Sequence, residues 1–177
     1  QSSGNAVLTG SLNGSGNLNK SGNSKLTLDN NANNSIGQIS VNDGTFELAQ
    51  DTSLNGNVTV NPDLDNPDAE FLGGNGEIIG TITNNGIFSP GNSVGETTVT
   101  NYDKGVGTLL FEYETITKPD GSVVIDSSDR LIATGTANLS GQDLDVKNLS
   151  GDALDPQQAL SQFSRLIVDS TASNGEG

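Results

Sequence analysis

Four carboxylates crowd one short run, NPDLDNPDAE at 61–70, and by type and spacing they are the residues of this chain best suited to do chemistry. Paired Asp and Glu side chains can serve as acid and base in glycoside cleavage, or supply oxygen ligands to Ca²⁺. Asp63, Asp65, Asp68 and Glu70 could therefore form a pair that cleaves acidic polysaccharides, or a calcium loop. Two prolines mark the run as a protruding loop, and no aromatic or basic sugar platform accompanies it. A solvated acidic loop is the reading that follows. The segment Gly73-Gly74-Asn75-Gly76-Glu77-Ile78 approximates the nonapeptide of calcium-stacked β-rolls, but that motif shares each ion between tandem turns and only one copy is present. No metal site is expected there.

The absence of His and Cys bounds the remaining chemistry. It removes the usual general base, the thiol nucleophile, the common zinc sites and the Ser-His-Asp triad. The expectation is a chain that is not an enzyme, with no catalytic residue, no cofactor and no metal. With 22 acidic against 7 basic residues and a net charge of -15, the surface field repels nucleic acid and anionic lipid. No apolar run approaches the roughly 20 residues that span a bilayer, so no direct membrane insertion is expected.

Which elements would carry such residues? A hydrophobic content of 31% with that charge would suit a disordered chain. Yet Leu, Ile, Val and Phe total 44 of 177 residues, above the roughly 20% level that marks disorder, and their spacing is regular. Apolar residues recur as i, i+2 pairs: Leu26 with Leu28, Ile39 with Val41, Phe46 with Leu48, Val58 with Val60. Each pair is a short strand showing two side chains to one face. Leu26 to Phe46, Ile39 to Val58 and Val60 to Ile82 repeat at about 20 residues, the signature of a stacked coil. The fold class expected is all-β, a right-handed parallel β-helix of about 20 residues per coil. The 23 Gly and 22 Asn suit its corners, where φ is positive.

After Tyr102 the strands lengthen and the turn Lys118-Pro119-Asp120-Gly121 predicts a hairpin. The division expected is 1–104 for the coils and 105–177 for a C-terminal β-rich cap continuous with them, with one short helix from Asp155 through Phe163. Because the chain opens at Gln1 within the repeat pattern, it is expected to be a slice of a longer array.

The run LGGNGEIIGTITNNGIFSPGNSVGETTVTNY, 72–102, resembles the junction motif of bacterial autotransporter passenger domains, a GGNGxIxGxxxNxGxxSPGNSxGxxTV pattern. Gly73, Gly74, Gly76, Pro90, Gly91, Asn92, Ser93 and Gly95 fall in register with it. The later SSDRLIATGTANLSG is similar to the family's S-D-x-L-x-x-x-G-x-A-x-L segment, through Ser128, Asp129, Leu131, Gly135, Ala137 and Leu139. Glu96 and Thr97 depart from it, standing where a small polar and an apolar residue are usual. The resemblance implies a structural stem exposed on the bacterial surface or secreted, an adhesin or virulence factor of type V secretion. Its C-terminal coils would act as an autochaperone, and its partners would be its own outer-membrane β-barrel and a host-surface or self-association partner. Phe111, Tyr113, Leu131 and Leu139 are expected to form the core of the folding nucleus. Rival classes are a β-helical polysaccharide-degrading enzyme and an adhesive module acting by itself.

Overall fold

The computed structural model describes residues 4–62, 70–151, 153–154 and 168–170, and every regular element within them is a strand. In chain order these are β1 (Ala6–Leu8), β2 (Asn17–Lys20), β3 (Lys25–Leu28), β4 (Asn33–Val41), β5 (Thr45–Leu48), β6 (Ser53–Val60), β7 (Glu70–Gly74) and β8 (Glu77–Asn84). They continue with β9 (Ile87–Pro90), β10 (Glu96–Lys104), β11 (Thr108–Thr117), β12 (Val123–Ser128), β13 (Arg130–Ala133), β14 (Ala137–Asn138), β15 (Asp143–Asn148) and β16 (Val168–Ser170).

Short alternating strands cannot stand alone, so each must pair with the strand one coil away. One sheet runs β1-β3-β5-β7-β9-β11, with β15 also on β11; the other runs β2-β4-β6-β8-β10-β13-β16. Every pairing along these stacks is parallel. Odd strands therefore build one sheet and even strands mostly the other, the topology of a parallel β-solenoid with about 21 residues per turn. The all-β class and the coil period expected from the sequence are what the fold has.

Identical faces stack upon each other. Ala6, Leu26, Phe46, Phe71, Phe88, Leu109 and Leu144 occupy one register column. Leu18, Ile39, Val58, Ile82 and Tyr102 occupy another. Phe46, Phe88, Ile39, Val58 and Ile82 are wholly inaccessible to solvent, and burial of each such side chain contributes about 1.5–3 kcal/mol. One spacing in the sequence is corrected here. Val60 does not lie over Ile82; it pairs with Asn84, and Ile82 pairs with Val58. A strand alternates with period two, so a shift by two residues keeps the same face inward and the sequence pattern cannot detect it.

The long even strands are interrupted in register, between Ser35 and Gln38 in the β4–β6 pair and between Val99 and Asn101 in the β8–β10 pair. Such irregularities bend a strand, giving each coil a corner within the second sheet. Asn side chains close the corner by accepting amides freed there: Asn57 Oδ1 from Thr81 N at 2.9 Å, and Asn101 Oδ1 from Thr136 N at 3.0 Å.

The period lengthens where the stem meets its C-terminal end. Hydrogen-bonded neighbours on adjacent coils are about 20 residues apart in the upper stem but 34 or 35 apart where β10 meets β13 and β14. The added residues form the hairpin of β11 with β12, the single antiparallel strand pair of the described residues. Lys118 N donates to Ser122 O at 2.8 Å and Gly121 has φ +82°, so the Pro-Asp-Gly turn closes the hairpin where the sequence puts it. The helix expected over 155–163 lies outside the described residues.

Candidate functional site

Asp63, Asp65 and Asp68 lie outside the described residues, and Glu70 opens β7. Among the described residues no three acidic side chains gather as metal ligands. In the calcium-like segment Asn75 Oδ1 is engaged by Glu96 N at 2.9 Å, and Gly76 is buried. The features with defined geometry are two buried polar knots that join the stem to its C-terminal end.

The first knot is built from the junction run. Gly73 and Gly74 end β7, Pro90 ends β9, and all three are buried with Gly76 and Gly91. Gly95 is half-buried; Asn92 and Ser93 are exposed, Ser93 with φ +69°. Gly74 N donates to Gly91 O at 3.1 Å, tying the run to the coil above. Asn92 Nδ2 reaches Glu47 Oε1 at 2.9 Å, two coils up, and Glu47 also pairs with Lys25 at 2.6 Å. Thr97 is fully buried; its hydroxyl donates to Gly74 O at 2.8 Å and accepts from Gly91 N at 3.3 Å. An apolar side chain at this position would leave both backbone groups without that partner. The departure of Thr97 from the resembled motif thus has a structural reason.

Asp129 locks this knot to the cap. It is 1% exposed, yet Oδ1 accepts from Gly95 N at 3.0 Å and Oδ2 from Glu112 N at 2.8 Å. Its own amide donates to Glu112 O, and the next amide, Arg130 N, donates to Gly95 O, at 2.8 and 2.9 Å. Burial pushes the carboxyl up to about 7, against the two amide bonds that favour its charge. Gly91 has φ +113°, and a Cβ there would collide with Asp129 Oδ1. Only glycine leaves room for the carboxylate.

The second knot runs through the core. Tyr102 is 1% exposed and its ring stacks on Phe88, with centroids 5.7 Å apart. Its hydroxyl accepts from Asn84 Nδ2 at 3.1 Å and donates to Gln142 Oε1 at 2.9 Å. Asn84 Nδ2 also donates to Thr108 O at 2.8 Å, and Gln142 Nε2 to Gly107 O. Successive coils are thereby joined inside the apolar column, and burial raises the phenol to about 12. Tyr102→Phe is expected to lose about 1–3 kcal/mol, since it leaves Gln142 Oε1 and one bond of Asn84 without a partner. Urea unfolding midpoints at constant slope measure that loss.

Of the four residues expected in the folding nucleus, Phe111 and Leu131 are in the core cluster and Leu139 packs against it. Tyr113 is half-buried and outside that cluster, because β11 there has run past β9 and pairs on that side with Ser128 of the hairpin, while Asn148 of β15 lies in register on its other side. Asn84, Tyr102 and Gln142 were not singled out from the sequence. A signal was present in part: Asn84 stands at an inward position two residues after Ile82, where the pattern calls for an apolar side chain.

Comparison with known proteins finds no matching family model, no matching curated protein and no matching solved structure.

Proposed function

We propose that this chain is the non-enzymatic structural stem of a bacterial autotransporter passenger, exposed at the cell surface or secreted, whose C-terminal coils start its folding as it emerges from the outer membrane. The reading rests on the motif resemblance together with the parallel solenoid. A single observation carries it: the two resembled motifs, far apart in sequence, meet through the Asp129 carboxylate, which holds Gly95 of one and Glu112 of the cap strand at once. In a stacked array each coil is stabilised chiefly by its neighbours, so the first to form outside the cell must hold itself together by contacts of its own. The knots at Asp129 and Tyr102 supply such contacts at the C-terminal end. Its partners on this reading are a C-terminal outer-membrane β-barrel and a host-surface or self-association partner, the stem serving an adhesin or virulence factor.

An export assay tests the role. Carried ahead of an outer-membrane barrel, the wild-type chain is expected to reach the cell surface in protease-resistant form. Asp129→Ala is expected to stall or arrive protease-sensitive, at least tenfold reduced in resistant material. Equal surface display of the two chains would reject the folding role.

A further inference from the structure

One groove on the side of the stem is lined wholly by uncharged residues. It has a volume of about 500 Å³ and spans three coils, with Asn13 and Ser15 from the first, Ser35, Ile36 and Gly37 from the second and Asn55 from the third. Asn13, Ser35 and Asn55 stand in register, one above another. The groove lies where the β4–β6 pair breaks register between Ser35 and Gln38, and backbone bonds tie its walls: Gly14 N donates to Ser35 O and Gly37 N to Gly16 O, each at 2.9 Å. A Cβ on Gly37 would stand 2.6 Å from Ser15 O, so a side chain there would push the two coils apart. The walls are therefore preformed, which lowers the cost of ordering them around a ligand.

The polar groups of this groove are uncommitted. Other Asn side chains of the stem bond to neighbouring coils: Asn34 to Leu12 N and Ser53 O, Asn57 to Thr81 N, Asn101 to Thr136 N. The side chains of Asn13, Ser15, Ser35 and Asn55 bond to none of the described residues, and all four residues are exposed. Two amides and two hydroxyls thus offer donors and acceptors together. Ile36, half-buried and packed against the core cluster, adds an apolar contact.

The class of ligand follows from what these groups can satisfy. An apolar molecule would strip water from four polar side chains and return no bonds. An ion would meet no opposite charge in the lining, and an anion would also face the field of a chain of net charge -15. A ring bearing several hydroxyls suits both conditions, since each hydroxyl donates and accepts while the C–H face of the ring packs on Ile36. The volume falls within the roughly 300–1,000 Å³ of small-molecule sites.

We infer that this groove binds an uncharged saccharide, with Asn13, Ser35 and Asn55 bonding its hydroxyls along the stack and Ile36 supporting the ring. The lining holds no acid or base, so the sugar is bound and not cleaved. Such binding needs only the folded stem and is independent of the export role proposed above.

Isothermal titration and saturation-transfer NMR of the 177-residue chain test it, with cellohexaose, mannohexaose and maltohexaose as neutral probes and hexagalacturonate as the acidic one. At least one neutral hexaose is expected to bind, and hexagalacturonate at the same concentration is not. Asn13→Ala with Asn55→Ala, both at exposed positions, is expected to weaken binding at least tenfold while the thermal melt stays that of the wild type. Should that chain melt early, Ser15→Ala, at an exposed loop position, takes its place with the same expectation. Failure of all three neutral hexaoses to bind would overturn the site. Equal binding by the folded variant would overturn its placement in this groove, and equal binding of hexagalacturonate would overturn the class of ligand.

Discussion

Deleting residues 105–177 is expected to leave a stem that no longer unfolds as one cooperative transition in urea, whereas deleting residues 1–50 is expected to preserve a single, weakened transition. The lower deletion removes Leu109, Phe111, Leu131 and Ala133 from the core. It also removes Asp129 from Gly95, Thr108 from Asn84 and Gln142 from Tyr102, leaving buried polar groups of the retained coils without partners. Each such loss costs about 1–3 kcal/mol, on a scale where whole domains are stable by about 5–15. The upper deletion takes Leu28, Ile39, Val41, Phe46 and Leu48, a comparable apolar loss. It takes Glu47 from Asn92 but keeps the bonds of Asp129 and Tyr102, since Asn84, Tyr102, Gln142, Gly95, Glu112 and Asp129 all lie below the cut. Circular dichroism and fluorescence followed through urea distinguish the outcomes, and equal midpoints for the two truncations would place the nucleus elsewhere.

The second large effect centres on one carboxyl. Asp129→Ala removes the acceptor of two amides in a position that is 1% exposed, and a loss of about 2–6 kcal/mol is expected. Asp129 also gives a pH signature of defined sign. Its folded value of about 7 lies above the ordinary 3.8, so the folded state holds the proton over that window and the unfolded state does not. Stability from this group is complete below about pH 4 and falls as pH rises through about 7. The fall is bounded at about 4 kcal/mol by the separation of the two values. Asp129→Asn resembles the protonated acid in shape and cannot titrate, so its stability is expected to lack this decline. Unfolding free energies from pH 4 to 8 for both proteins read the difference; parallel curves would show that Asp129 does not titrate in that range.

The choice between an enzyme and a structural stem turns on residues of different kinds. The acidic run 61–70 offered chemistry by type alone, while the junction glycines offered none. Yet the latter take part in a bonded network, in which Gly91 is obligatory because Asp129 occupies the space a side chain would need. Chemically inert residues in a regular pattern were the guide to the fold.

Alternation at Leu26–Leu28, Phe46–Leu48 and Val58–Val60, with a return near 20 residues, was enough to specify a stacked all-β coil and the faces that turn inward. The hairpin at Lys118–Gly121 was legible for a similar reason: its turn is local, set by Pro, Asp and Gly within four residues. Tertiary structure alone decided that Val60 lies over Asn84, that Tyr113 leaves the core, and that Asp129 reaches Gly95 34 residues away. A period of two repeats itself under every even shift, and a hydrogen bond across coils depends on how many residues the intervening loop consumes. Strand pattern is written locally in the side chains, whereas the partner of a buried polar atom is fixed only when the coils stack.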